Sequence, residues 1–203
     1  MKDLPYFRRK EQKGMKLFQE DIERAVMILR QSGVILYPTD TIWGLGGDAE
    51  NEAAVQRIYR IKRRPANKSF ILLMDPDKVR IYFPEIRDTV LEEMRQATRP
   101  TTYILPGAVG LASSVIAADG SVAVRLPHDD FCQSLLRRFG KALVSTSANF
   151  AGTPPPAHFA EIDPALREEV DYVVHWRQDD LTPARPSKII KILPGGTRKI
   201  IRD

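Results

Sequence analysis

Apolar residues recur at helical spacing through Phe18, Ile22, Ala25, Val26 and Leu29, which predicts an amphipathic helix from about Leu17 to Gln31, stopped at Gly33. A continuous apolar run follows at Val34–Tyr37 and is cut by Pro38, the pattern of a buried strand. Ala54, Val55, Ile58 and Ile61 mark one face of a helix over Glu52–Lys62, closed off by Pro65. Strands are predicted at Phe70–Met74, Thr101–Leu105, Val122–Leu126 and Ala142–Ser145. Helices are predicted over Ile86–Thr98 and around Phe131–Phe139, the second capped by Gly140. Ala151–Pro156 reads as a loop, and Ile189–Ile192 with Lys199–Ile201 as a hairpin around Pro194-Gly195-Gly196.

In this order βα units mix with neighbouring strands, which implies one α/β or α+β domain on a twisted, mixed sheet. A chain of 203 residues, 43% of them apolar, can bury a core of that kind. The sequence divides into a basic N-terminal arm at 1–14, expected to be mobile, and a domain at 15–203. The formal charge is +5, but residues 1–16 alone carry +4 of it. The excess therefore describes the arm and is no argument for nucleic acid. A single cysteine, Cys132, excludes an internal disulfide framework and a multi-cysteine zinc site. The apolar runs are too short to span a bilayer and no secretory pattern follows the basic start, so a cytoplasmic protein is expected.

Standard catalytic signatures are missing. There is no Walker loop, and Gly44-Leu45-Gly46-Gly47 lacks the dinucleotide spacing. His128, His158 and His175 are far apart and show no metal-ligand spacing, so no protein metal site is expected. Cys132 shares its helix with Phe131 and Leu135 and reads as a small buried hydrophobe.

Four other features point to chemistry. At Tyr37-Pro38-Thr39-Asp40-Thr41 a buried strand empties into hydroxyls and a carboxylate, where open α/β sheets bind ligands. The same residues could instead satisfy a local turn. Arg57, Arg60, Lys62, Arg63, Arg64 and Lys68 form a cationic run with no acid between Ala53 and Met74. Such a run suits phosphate oxygens, or it complements a helix C-terminus. Ser145-Thr146-Ser147-Ala148-Asn149 ends another core strand in small polar groups, able to donate and accept, or to cap a turn. Arg125 alternates with Val122 and Val124 on a core strand, a costly place for a cation unless it meets an anion or lines a cleft.

In order along the chain, Tyr37-Pro38-Thr39-Asp40-Thr41 with Gly44-Leu45, Lys62-Arg63-Arg64-Pro65, Val124-Arg125-Leu126-Pro127, Ser147-Ala148-Asn149 and Pro186-Ser187-Lys188-Ile189-Ile190 resemble the motifs of the Sua5/YrdC/YciO family. The resemblance covers about Gly33 to Asp203. It implies a YrdC/RibB-like α/β domain whose twisted, mixed sheet is largely parallel and holds a concave basic cavity. It implies synthesis of threonylcarbamoyl-AMP from L-threonine, bicarbonate and ATP, with Mg2+ accompanying the nucleotide. The product would serve N6-threonylcarbamoylation of adenosine 37 in tRNA, with transfer proteins as possible partners.

Carried over position by position, the resemblance implies that Thr39, Thr41, Arg125, Ser145 and Ser187 bind substrate. Arg64, Lys68, Thr102, Ser147, Asn149 and Arg202 would hold the nucleotide. Lys62, Arg64, Ser147 and Asn149 would carry the catalysis. Some positions depart from the family pattern: Trp43 replaces a tyrosine, Ser69 a proline, and Thr98-Arg99-Pro100-Thr101-Thr102 a tryptophan-Pro-Gly-Pro element. The Thr-Tyr-Ile-Leu continuation is similar to the YciO branch. The alternative is thus a YciO-like, translation-associated protein that binds double-stranded RNA or tRNA without synthesis. Charge alone favours neither, whereas Ser147-Ala148-Asn149 is unnecessary for simple RNA binding and favours the synthase.

Overall fold

The computed structural model describes residues 4–65, 69–182 and 186–203, with the backbone alone described over 4–13 and at 194. Helix α1 (Leu4–Arg30) opens the chain well ahead of Leu17, so residues 4–14 of the expected arm are helical. Its apolar stripe docks as the pattern requires, with Ile22, Ala25, Val26 and Leu29 buried. Phe18 sits edge-on between Phe131 and Trp176, at centroid distances of 5.5 and 5.3 Å. Asp21 is fully buried on the same helix. It is held there by backbone donors, Trp176 N–H at 2.7 Å and His175 N–H at 3.0 Å.

The other helices are α2 (Glu52–Ile61), α3 (Val79–Tyr82), α4 (Asp88–Gln96), α5 (Asp130–Phe139) and α6 (Pro164–Glu168). Each of the four helices expected from periodicity is present, and α3 and α6 are too short for a periodic signal. Asn51 caps α2 by accepting from Ala54 N–H, and Asp129 caps α5 by accepting from Cys132 N–H. No helix among the described residues is long and apolar enough to cross a membrane.

The strands are β1 (Ile35–Tyr37), β2 (Gly44–Asp48), β3 (Ile71–Leu73), β4 (Thr101–Pro106), β5 (Ser121–Arg125), β6 (Leu143–Ser147), β7 (Tyr172–Val173), β8 (Lys188–Ile192) and β9 (Arg198–Arg202). Among the described residues these nine form one sheet in the order β7-β1-β2-β6-β3-β5-β4-β8-β9. The sheet is mixed, as expected, but it is not largely parallel. Only β1–β7, β3–β5 and β4–β8 are parallel pairs; the other five are antiparallel. Direct returns set β1 beside β2, β4 beside β5 and β8 beside β9, which a parallel pair cannot accept without a crossover.

Strand β2 carries no strand signal, because its sequence is Gly-Leu-Gly-Gly-Asp. All five residues are nevertheless buried. The glycines answer close neighbours: a Cβ on Gly46 would lie 2.8 Å from the Tyr37 ring, and one on Gly47 2.9 Å from Ile58 Cδ1. Helix α2 and the Tyr37 side chain thus pack against bare backbone.

Candidate active site

The sheet brings the polar strand ends together. Register pairs Gly44 with Ser147 and Gly46 with Ser145 across β2 and β6, and Ser145 with Ile71 of β3. Further along, Leu73, Arg125, Thr102, Ile189 and Arg202 form one cross-strand row through β3, β5, β4, β8 and β9. These ends, with the β1–β2 turn, surround a cavity of about 280 Å³. Thr41, Arg64, Arg125, Ser145, Ser147, Ser187 and Arg202 all line it, with Trp43, Ser69 and Pro186 completing the wall.

The hydroxyls have defined polarity on the β1–β2 turn. Thr39 Oγ1 donates to Ile42 O at 2.7 Å and accepts from Thr41 N–H at 3.0 Å. Its hydrogen is therefore committed, and in the 3.0 Å contact between the two hydroxyls Thr41 is the donor. Thr41 is left with oxygen lone pairs toward the cavity, suited to an amine or hydroxyl donor. Thr39 itself stands behind Thr41 and serves the turn. Thr102 plays the same supporting part for Ser187: it is fully buried, with the two hydroxyls 2.8 Å apart. Arg202 donates to Ser187 O from Nε at 3.0 Å and from a terminal nitrogen at 2.6 Å, pinning the segment that enters β8 to the end of β9.

The cations at the end of α2 diverge. Arg63 adopts the left-handed conformation with φ 50°, and Arg64 N–H returns to Tyr59 O at 3.0 Å. That reversal places Arg63 over the Phe150 ring, its guanidinium carbon 4.2 Å from the centroid. Arg64 turns into the cavity wall, donating to Ser69 O at 3.0 Å while its buried Nε has no hydrogen-bond partner. Lys62 does not line the cavity. Its ammonium, 2% exposed as a residue, donates to Ser147 O at 2.5 Å, Asn149 O at 2.7 Å and Asn149 Oδ1 at 3.4 Å. Three donors meet three acceptors, so Lys62 ties α2 to the end of β6. Burial, and after it the Arg64 charge, bring its pKa down to about 7, while the three oxygens favour the ammonium. Asn149 faces its own loop, donating to Phe150 O at 3.1 Å and Thr153 O at 2.5 Å.

Arg57 leaves the expected cationic stripe. It pairs with Asp171 and donates to Glu169 O at 3.1 Å. Lys68 lies outside the described residues. Cys132 is buried, and burial raises its thiol pKa, in keeping with a packing residue.

Arg125 is the most buried of the cations that line the cavity, 4% exposed, with a terminal nitrogen 3.0 Å from Asp40 Oδ1. Neither Arg125 Nε nor Asp40 Oδ1 has a hydrogen-bond partner, so this contact is an ion pair by distance without alignment. The Asp40–Arg125 pairing was missed from the sequence, although both residues stand in the quoted motifs. An arginine on a core strand is a signal that an acid must be near, but it does not say which one.

The arrangement offers guanidinium donors and hydroxyls, and its nearest carboxylate is already paired. That donor set fits an anion and not a bare metal ion. Among the described residues no group of three or more His, Cys, Asp or Glu side chains could hold a metal. A nucleotide's magnesium takes most of its oxygens from phosphate and water, so the site can accept a metal–nucleotide complex without such a group.

A family model named Sua5_yciO_yrdC and described as telomere recombination matches residues 27–203. The chain belongs to the Sua5/YciO/YrdC family. Among its relatives, the threonylcarbamoyl-AMP synthase of Xanthomonas euvesicatoria pv. vesicatoria is 39% identical over 190 residues, which is 90% of this chain and 97% of that protein. E. coli YciO superposes with a TM-score of 0.76 at 28% identity, covering 91% of this chain and 89% of that one. Sua5 of P. abyssi, solved with L-threonine, superposes with a TM-score of 0.76 at 24% identity and shows the shared fold. The superposition covers 89% of this chain but 53% of the Sua5 chain, about half its length. Family membership thus covers the cavity and all the strands that form it.

Proposed function

We infer that this enzyme makes threonylcarbamoyl-AMP from L-threonine, bicarbonate and ATP, releasing pyrophosphate. The observation that carries the reading is the shared cavity: Thr41, Arg64, Arg125, Ser145, Ser147, Ser187 and Arg202 come from six separate stretches of chain and line one hollow. The synthase name of the Xanthomonas relative, whose length this chain nearly matches, supports it.

The chemistry needs no protein nucleophile. The threonine amine attacks the bicarbonate carbon, water leaves, and a carbamate forms. A carbamate oxygen then attacks the α-phosphorus, and pyrophosphate departs with the bonding electrons. Both steps gather negative charge in one place, so fixed cations and oriented donors supply the acceleration. Thr41 would receive the amine, Arg125 the substrate carboxylate. Arg64, Ser145, Ser147 and Arg202 would hold nucleotide oxygens, and the resemblance assigns Lys68 to the nucleotide as well. Lys62 and Asn149 would act from beneath, fixing the Ser147 backbone, and Thr39 and Thr102 by orienting Thr41 and Ser187. Mg2+, bound through the phosphates, would neutralise charge on the nucleotide. In this reading the product serves tRNA modification in the cytoplasm.

Incubation of the pure protein with ATP, bicarbonate and labelled threonine tests the reading. Labelled threonylcarbamoyl-adenylate with matching pyrophosphate is expected. ATP left intact, together with salt-sensitive binding of double-stranded RNA, would favour the YciO-like alternative.

A further inference from the structure

Asp40 does not line the cavity, yet it sets the charge that the most buried of the lining cations presents. Its side chain is 8% exposed and that of Arg125 4%, and the two approach to 3.0 Å. Around them are other groups that carry no compensating charge. Tyr37 is fully buried, and burial raises its phenol pKa, so it is neutral. Cys132, also buried, stays a thiol for the same reason. The His128 N–H reaches Asp40 Oδ2 only at 3.5 Å. Asp40 and Arg125 are therefore each other's counter-charge. The pair is held by Coulomb attraction and not by aligned hydrogen bonds, since Arg125 Nε and Asp40 Oδ1 are both unpartnered. A guanidinium in this state keeps donors for an incoming carboxylate while its net charge is already cancelled.

We propose that Asp40 is a specificity-determining positioning residue: a resident counter-anion that makes the Arg125 subsite select a zwitterionic amino acid over a carboxylate of net charge −1. The proposal rests on the threonine reading of the cavity. An amino acid brings its own ammonium, so adding it leaves the charge balance of the Arg125–Asp40 pair unchanged. A plain carboxylate adds beside Asp40 a negative charge that the pair does not compensate and that only Arg64 and Arg202, elsewhere on the cavity wall, can answer, in surroundings where charge is poorly screened. Replacing Asp40 by Asn keeps the size and an acceptor oxygen but frees the Arg125 charge. The preference then shifts toward the net anion.

The test is direct binding, by calorimetry without ATP, of L-threonine and of 3-hydroxybutyrate, which is threonine without its amine. Wild type is expected to favour L-threonine. In Asp40→Asn the ratio of the two affinities shifts toward 3-hydroxybutyrate by roughly tenfold or more, while Asp40→Glu keeps the wild-type ratio. A merely structural role would weaken both ligands together, and an unchanged ratio in folded Asp40→Asn overturns the proposal. A wild-type measurement stands beside it in case that variant does not fold. The Arg125 Nε–H resonance, assigned by its loss in Arg125→Lys, should shift on titration with L-threonine, and an unmoved signal at saturation also overturns the proposal. Absence of any threonine binding by wild type overturns both this and the parent reading. Binding with an unchanged ratio overturns the counter-anion role alone.

Discussion

Two hollows on this molecule differ in size in one direction and in chemistry in the other. The larger, about 1080 Å³, lies between α3, α4 and the β4–β8 face and is lined by Arg80, Arg95, Arg99 and Lys188 beside Asp77, Asp88, Glu92 and Glu93. Its charges answer one another. Arg80 pairs with Asp88, Arg95 with Asp77 at 3.3 Å, and Lys188 with Asp203 at 3.0 Å. The smaller cavity, about 280 Å³, holds Arg64 and Arg202, which form no ion pair among the described residues, and Arg125, whose counter-charge Asp40 is buried with it. Exposed pairs in the groove are screened and already satisfied, so they offer a ligand little. Cations without a resident counter-charge, in a hollow where charge is less screened than at the surface, gain from an anionic ligand. Volume alone would have selected the other hollow.

The sharpest way to break this contrast is to remove the most buried cation of the smaller cavity. Arg125→Ala should lower pyrophosphate release by roughly 100-fold or more. The same change should cost about 3 kcal/mol in denaturant melts, because Asp40 is left buried without its counter-charge. Arg64→Ala should lose most ATP turnover while remaining folded. Full pyrophosphate release from folded Arg64→Ala and Lys62→Ala would remove the cationic site from the mechanism.

Lys62→Met comes next, at about 2 kcal/mol, since carbonyl acceptors at the end of β6 lose a charged donor. It carries a pH signature. The Lys62 pKa is about 7 in the fold, below its ordinary 10.5, so the unfolded chain binds more protons between those values. The burial penalty is full below about pH 7 and fades as pH rises toward 10. Wild-type stability should therefore include an increment that grows across this window and that Lys62→Met lacks. Melts from pH 6 to 10 on both proteins, subtracted, measure it.

Smaller effects sharpen the comparison. Gly46→Ala should cost about 2 kcal/mol by pressing a methyl into the Tyr37 ring. Gly47→Ala should cost less, because the atom it meets is the mobile tip of Ile58. Paired thermal melts would rank them. Last, Arg95→Ala in the larger groove should change stability by no more than about 0.5 kcal/mol and leave pyrophosphate release unaltered, its pair being 41% and 88% exposed.

Much of the fold was legible because its elements have strong periods. The α1, α2 and α5 stripes and the apolar runs at β1, β3 and β6 all appear near their expected positions. Strand β2 was invisible, since its glycines exist to admit Tyr37 and Ile58, and that reason lies in other segments. The predominance of antiparallel pairs was hidden too: periodicity marks a strand but not its neighbour or direction. For the candidate site, the motifs contain several of the polar residues that line the cavity but not their orientation. Nothing local distinguishes Lys62, which turns under β6, from Arg64, which turns into the cavity. The separating feature is the left-handed Arg63 between them, a conformation that no glycine announces.

By itself the sequence determined the element types, the burial of their apolar faces, and the family to which five ordered motifs belong. These follow from residue spacing and side-chain chemistry, which are properties of short stretches of chain. Only the tertiary structure decided which strand ends meet, which cations are already paired, and that Arg125 faces Asp40. Those are long-range matters: a buried charge finds its partner through the register of a folded sheet, and a linear pattern carries no record of that distance.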